Sequence, residues 1–248
     1  MAEQRCLNCE ALVLGKYCGV CGQSIEIERF TVRALVTKDL PSLLFKVNGG
    51  FLLTLQELFR RPGHAVRDYV AGQRVRYTNA AALVVVLASF DAFLRSFWGF
   101  QLADTVGFEE GRAFARSLEV ARAEHAKLFF LGALPLRAAL SFLLFRRARQ
   151  RYAEHLVLDC YGTAAGLAIS AVCSGLILLI GADPELANRI TEVSVVVVLG
   201  YYVWYYQQYF SEFGYGRLSL FARSVLTPLL QYGVLLALLL GYLLLVLR

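Results

Sequence analysis

The chain is poor in the residues on which enzyme chemistry usually rests. Its 248 residues include three histidines, one methionine and two tryptophans. His64, His125 and His155 stand far apart, and one histidine does not make a metal site. Glu154, His155 and Asp159 form a short acid–base cluster, but no nucleophile or catalytic-metal set accompanies them in the sequence. Residues 1–30 lack the apolar run that opens a secretory signal, which argues against an exported, disulfide-stapled N-terminus. There is no internal repeat, and no pair of Gly/Pro-broken segments in matching positions, which removes the sequence sign of a repeat-built transporter. The reading therefore leans away from an enzyme.

Apolar residues, by contrast, are abundant. They make up 58% of the chain, and the mean hydropathy is +0.54, too high for a soluble globular protein. Five long runs predict transmembrane helices at 79–100, 128–145, 156–180, 190–210 and 225–247. The second is the shortest and carries Pro135.

Charges order these spans. Residues 60–78 hold five arginines and one aspartate, whereas 101–127 hold five acids and four bases. "RRARQRYAEH" has four arginines and one glutamate, and "GADPELANR" has two acids and one base. The last connection, "SEFGYGRLSLFARS", has two arginines and one glutamate. Basic and non-basic connections alternate, as the positive-inside rule requires. The N-terminus is thus expected in the cytosol and Arg248 on the far side. The fold class is an all-α membrane protein with three parts: a knuckle at 1–29, amphipathic helices at 30–78 and a bundle at 79–248.

The knuckle is "CLNCEALVLGKYCGVCGQ". Cys6-x2-Cys9 and Cys18-x2-Cys21 place four thiolates at the spacing of tetrahedral structural zinc. A rubredoxin-like iron site uses the same ligands. Gly19 and Gly22 permit the tight turn beside the sulfurs, and Asn8 is placed to hydrogen-bond and steady a thiolate. Cytosolic placement suits reduced, metal-bound cysteines. Cys160 and Cys173 lie in an apolar run and read as packing residues. Only Lys16 lies as a base between the cysteine pairs, so a nucleic-acid footprint is missing.

Between knuckle and first span, Asp39 is placed to cap a helix starting near Pro41. "FLLTLQELFRRPG" presents Phe51, Leu55, Leu58 and Phe59 on one helical face, ended by Pro62-Gly63. Both helices are expected at the membrane interface, in contact with lipid headgroups. A second elbow helix runs from Pro62 to Gly72, and Asn79 is placed to cap the first span. Arg60, Arg61, Arg67, Arg74 and Arg76 read first as positive-inside signals and second as contacts for an anionic ligand or headgroup. The outer connection reads as one amphipathic helix.

Two motifs carry a resemblance. "CxNC…GxYCxxCGQ" spans Cys6 to Gln23, and "RPGxxxRxYxxGxR" spans Arg61 to Arg74, continuing through Tyr77 to Asn79. Together with "YAEH" at Tyr152–His155, they resemble a family of uncharacterised bacterial multi-pass membrane proteins defined as a domain of unknown function. The likeness covers roughly the first 100 residues, and departs at Ala80, where that family carries proline. It implies an integral protein of the bacterial inner membrane with a zinc ribbon, and no activity.

Within the spans, Asp91 and Arg137 fall at one depth, ~13 Å below the outer surface, and are expected to pair, with Arg95 and Glu192 near them. Nearer the cytosol, His155 and Asp159 share a face, and Tyr201, Tyr205 and Gln208 repeat at one turn. Those five residues define a candidate polar pocket. The function expected is a non-enzymatic adaptor or assembly protein, docking a protein partner on a zinc-stabilised platform. A small transporter or lipid-binding protein is the alternative, and a lipid-modifying enzyme the weakest reading. Cys18→Ser is expected to unfold the N-terminal segment, read as new protease cleavage there, while the protein stays in the membrane fraction. Loss of insertion would show that knuckle and spans do not fold separately.

Overall fold

Each CxxC pair closes the same turn, in which the amide four residues on returns to the first cysteine carbonyl. Glu10 N donates to Cys6 O at 2.9 Å and Gly22 N to Cys18 O at 2.8 Å. Glu10 (φ 61°) and Gly22 (φ 72°) both take left-handed backbone there. Gly19, expected to share that role, is not among the positive-φ residues. Strands β1 (Gln4–Arg5) and β2 (Leu12–Val13) pair antiparallel around the first turn, with Gln4 opposite Val13.

The computed structural model describes residues 4–35, 37, 50–97, 109 and 132–246. The helix expected near Pro41 and nearly all of the outer amphipathic helix lie outside the described residues. After the knuckle, an extended strap (24–30) leads to one helical turn, Val32–Ala34, capped by Thr31. Helix α1 (Phe51–Arg60) starts after Gly50 and meets α2 (Pro62–Ala71) at an elbow on Arg61. Pro62 opens α2 with its φ pre-set, and Gly72 (φ 123°) closes it, as the sequence predicts. Helix α3 (Ala80–Ser96) is capped by Asn79 Oδ1, which accepts from Ala81 N at 2.9 Å.

Then come α4 (Gly132–Leu144), α5 (Tyr152–Ile180), α6 (Pro184–Phe210) and α7 (Arg217–Val246). Three helices are long and apolar enough to cross a membrane: Tyr152–Ile180, Glu185–Phe210 and Arg217–Leu238. Each begins before the span expected from apolar runs. The runs stop at Glu185, Arg189 and Arg223, but charges at a helix end reach water while the backbone continues unbroken. In the described residues α3 and α4 fall short of a full crossing, and the remainders of their expected spans lie outside those residues.

Helix α3 lies along α5, while α6 packs against α2, α5 and α7. The core at the knuckle end is built from tyrosines, with Tyr77, Tyr161, Tyr205, Tyr206 and Tyr209 almost wholly buried. Two of their hydroxyls end on backbone carbonyls: Tyr161 on Thr78 O at 2.6 Å, Tyr205 on Leu158 O at 2.7 Å. Helix α2 comes closest to α6 at Gly63, whose amide donates to Gln208 Oε1 at 2.8 Å. A Cβ at Gly63 would lie 2.2 Å from Tyr209 N, against backbone that cannot yield. Gly63→Ala should therefore lower stability by roughly 1–3 kcal/mol or more. Gly175→Ala, where a Cβ meets nothing within 4 Å, should cause no loss. Thermal melts of both variants in one detergent check the contrast, and equal melting temperatures would refute it.

Candidate metal centre and polar clusters

The two knuckle turns face each other, so all four sulfurs lie within 4.8 Å of one another. Cys6 and Cys21 approach to 3.5 Å, as do Cys9 and Cys18, and all are free thiols. A tetrahedron with metal–sulfur bonds of ~2.3 Å has sulfur–sulfur edges of about 3.8 Å, so the cluster fits such an ion. Four sulfurs fill the tetrahedron, with no position left for substrate. Among the described residues no other group of three or more His, Cys, Asp or Glu gathers this way. Asn8 meets a cysteine sulfur as expected, its backbone amide donating to Cys6 Sγ at 3.4 Å, while its side chain accepts from Arg76 N at 3.0 Å.

The thiols are graded. Amides of Cys21 and Val20 hold the Cys18 thiol down at about 6. The Ala11 amide pulls the Cys9 thiol down, but desolvation and the other three sulfurs push it up to about 12. Cys18 thus ionises more readily than Cys9, and a cation among the sulfurs would favour the thiolate of each.

The knuckle is seated chiefly by one buried side chain. Gln23, 3% exposed, donates through Nε2 to Gly72 O at 2.9 Å and accepts through Oε1 from Arg74 N at 2.9 Å and Val75 N at 3.1 Å. Gly72 is required on both counts: its φ is 123°, and a Cβ would lie 2.8 Å from Leu7 Cδ1. Further along the strap, the Arg74 guanidinium stacks 3.9 Å over Phe30. Arg29 grips Glu154 of α5 through two bonds, at 2.5 and 2.8 Å, and Glu154 also accepts from Arg151 N at 2.8 Å. Sequence reading gave Gln23 no role, although it stands in the "CGQ" motif.

The five arginines divide. Arg61 joins Glu57, Asp68 and the Tyr77 hydroxyl. Arg67 covers the C-terminal end of α6, donating to Tyr209 O at 3.2 Å and pairing with Glu212 at 2.7 Å, where a cation offsets the helix dipole. Arg74 donates to Glu28 O at 2.6 Å. Arg60 and Arg76 are exposed. A cleft of about 610 Å³ opens between strap and bundle, and its wall includes Arg29 and Arg67, both already paired with carboxylates.

Deeper in the bundle the expected charge cluster separates. Asp91 pairs with Arg95 at 2.9 Å, and both meet the Ser170 hydroxyl. Glu192 is exposed and accepts from Asn188. Arg137 does not join them: it donates to Thr163 Oγ1 at 3.1 Å and Tyr202 OH at 3.0 Å. Thr163 and Ser170 stand seven residues apart on α5, about 10 Å along the axis, so these are two layers.

The expected pocket is re-sorted as well. Tyr201 and Tyr205 bond the carbonyls of Leu58 and Leu158, and Gln208 holds Gly63 N. Asp159 is met instead by Tyr206 at 2.9 Å, Gln231 at 2.8 Å and Ser141 at 2.9 Å, and Ser141 also contacts His155 Nδ1 at 3.0 Å. The aromatic run of α6 is buried on more than one face, so its periodicity does not pick the face toward Asp159. Ser141 and Gln231 did carry a signal, each a lone polar residue in an apolar stretch.

A family model described as "Protein of unknown function (DUF3667)" matches residues 48–90. No curated protein and no solved structure matches the chain. The matched stretch contains α1, α2, the loop that Gln23 holds and the start of α3.

Gln23→Ala should leave the cysteine cluster able to take up zinc yet free the Val75 amide and loosen that of Arg74, read as faster hydrogen exchange there and a stability loss of about 1–3 kcal/mol. Unchanged exchange would refute the seat. Each ligand must lose its proton to bind metal, so affinity falls with falling pH. Below about 6, where the Cys18 thiol is protonated, zinc loaded into the cluster should be released to a fluorescent chelator.

Proposed function

We propose that the chain is a multi-pass protein of a bacterial inner membrane, with five spans and its knuckle in the cytosol, that serves as a non-enzymatic adaptor. Structural zinc in the Cys6, Cys9, Cys18 and Cys21 cluster makes the knuckle rigid, because about twenty residues build no core of their own. The observation that carries the reading is the contrast between the knuckle's two sides. One side is fixed to the bundle by Gln23, while the other leaves Leu12, Leu14, Tyr17 and Val20 57%, 89%, 67% and 77% exposed. Apolar side chains held out on a rigid mount suit a protein partner.

A second reading, carriage of a solute or lipid, is supported by the polar layer around Asp159 and Arg137.

Purification in mild detergent, with metal analysis and mass spectrometry of co-eluting molecules, tests the adaptor. A stoichiometric protein with about one zinc per chain is expected. Leu14→Ser with Val20→Ser should lose that protein and keep the zinc. Absence of any protein partner, or a partner indifferent to the double variant, would overturn the reading.

A further inference from the structure

The same bundle treats its two buried charge pairs differently. Asp91 and Arg95 are closed into a direct ion pair at 2.9 Å. Arg137 and Asp159 are held apart by Gln231, whose Oε1 faces Arg137 Nη2 at 3.5 Å while its Nε2 donates to Asp159 Oδ1 at 2.8 Å. Coulomb attraction in a water-poor interior favours closure, so the amide keeps open a pair that a purely structural lock would shut.

Arg137 carries a further mark. All its described partners are neutral: Thr163 Oγ1, Tyr202 OH and Gln231 Oε1. Its Nε is buried and has no acceptor. A buried charged donor left without a partner is costly, and such groups persist where a ligand completes them. Arg137 as a residue is half-buried, and the edge that carries its unpaired Nε is closed from solvent. That planar edge matches an oxyanion of carboxylate or phosphate type.

Charge balance then involves Asp159. With Arg137 positive and Asp159 negative the site is neutral, and an arriving anion leaves it one charge short. Protonation of Asp159 restores neutrality. A route exists: His155 Nδ1 lies 3.0 Å from Ser141 Oγ, and Ser141 Oγ 2.9 Å from Asp159 Oδ2. His155 is in the first turn of α5, at the knuckle end, and its Nε2 is buried without a partner. The titratable or charged groups around Asp159 are Arg137 from α4, Tyr152, His155 and Cys160 from α5, and Tyr205 and Tyr206 from α6. From α7 it meets the neutral Gln231.

We propose that the Arg137–Gln231–Asp159 layer is a binding site for a small oxyanion, taken up together with one proton that comes to rest on Asp159. This rests on the second reading above, that the polar layer takes a ligand, and goes further by naming its class. The proton passes from the knuckle side through His155 and Ser141 to the carboxylate, and the anion pairs with the Nε edge of the guanidinium.

Acetate, inorganic phosphate and dodecanoate are titrated calorimetrically into the purified protein in uncharged detergent. Two buffers of different ionisation enthalpy and several pH values are used. At least one probe should bind, with uptake of roughly one proton per anion and tighter binding as pH falls. Binding of acetate or phosphate assigns a soluble ligand, and binding of dodecanoate alone a lipid-borne carboxylate. Arg137→Gln should weaken binding about tenfold or more. Asp159→Asn should bind with no proton uptake. If either variant fails to fold, the pH dependence and proton count of the unaltered protein decide. No binding by any probe, or binding without proton uptake, overturns the proposal. A co-purified neutral or cationic molecule displaced by Arg137→Gln would overturn it too, while leaving the ligand-pocket reading intact.

Discussion

The knuckle end of the molecule depends on the buried amide of Gln23. One side chain bonds three backbone groups of the Gly72–Val75 loop, and for Val75 N it is the acceptor the loop itself does not supply. It does so because the Cys18–Gly22 turn of the cysteine cluster aims the next residue at the loop. The loop in turn leads within a few residues to the Asn79 cap and so to α3. Cysteine-turn geometry, loop conformation and the start of a long helix are thereby linked through one side chain, with Asn8 on Arg76 N beside it.

A second constraint is the satisfaction of polar groups where water is scarce. The bundle meets it in three ways. Tyrosine hydroxyls finish on helix carbonyls, as Tyr201 does on Leu58 O. One carboxylate is closed by an arginine a turn away on its own helix, Asp91 by Arg95. Around Asp159, residues from four helices converge, and the network is left open at Arg137 and His155. The first two solutions are self-contained. The third depends on the arrangement of every helix around it.

What could be read from the sequence follows the same division. The cysteine ligands, the Pro62 and Gly72 ends of α2 and the Asn79 cap depend on local geometry, and local spacing displays them. The bundle's tertiary contacts did not show. Tyr201 and Tyr205 were expected to face Asp159, yet the neighbouring pair Tyr202 and Tyr206 lines that layer, because aromatics surround α6 and erase its periodicity. Arg137 was matched to Asp91 by depth alone, whereas the facing sides of α4 and α5 set it by Thr163. Gln23 and Gln231 went unread for one reason: an amide's importance lies in what it meets, 49 residues away for Gly72 and 72 for Asp159.

Those separations also dictate an order of assembly as the chain is made. All four clustered cysteines lie within residues 6–21, so the knuckle's two turns can close as soon as that segment leaves the ribosome. Its seat does not exist until residue 75 follows. The strap's grip on α5 waits for Glu154, 125 residues after Arg29, and Arg67 waits 142 residues for the carbonyl of Tyr209. For most of synthesis the knuckle and α2 are therefore a small unit on their own, fastened to the bundle only when α6 is complete.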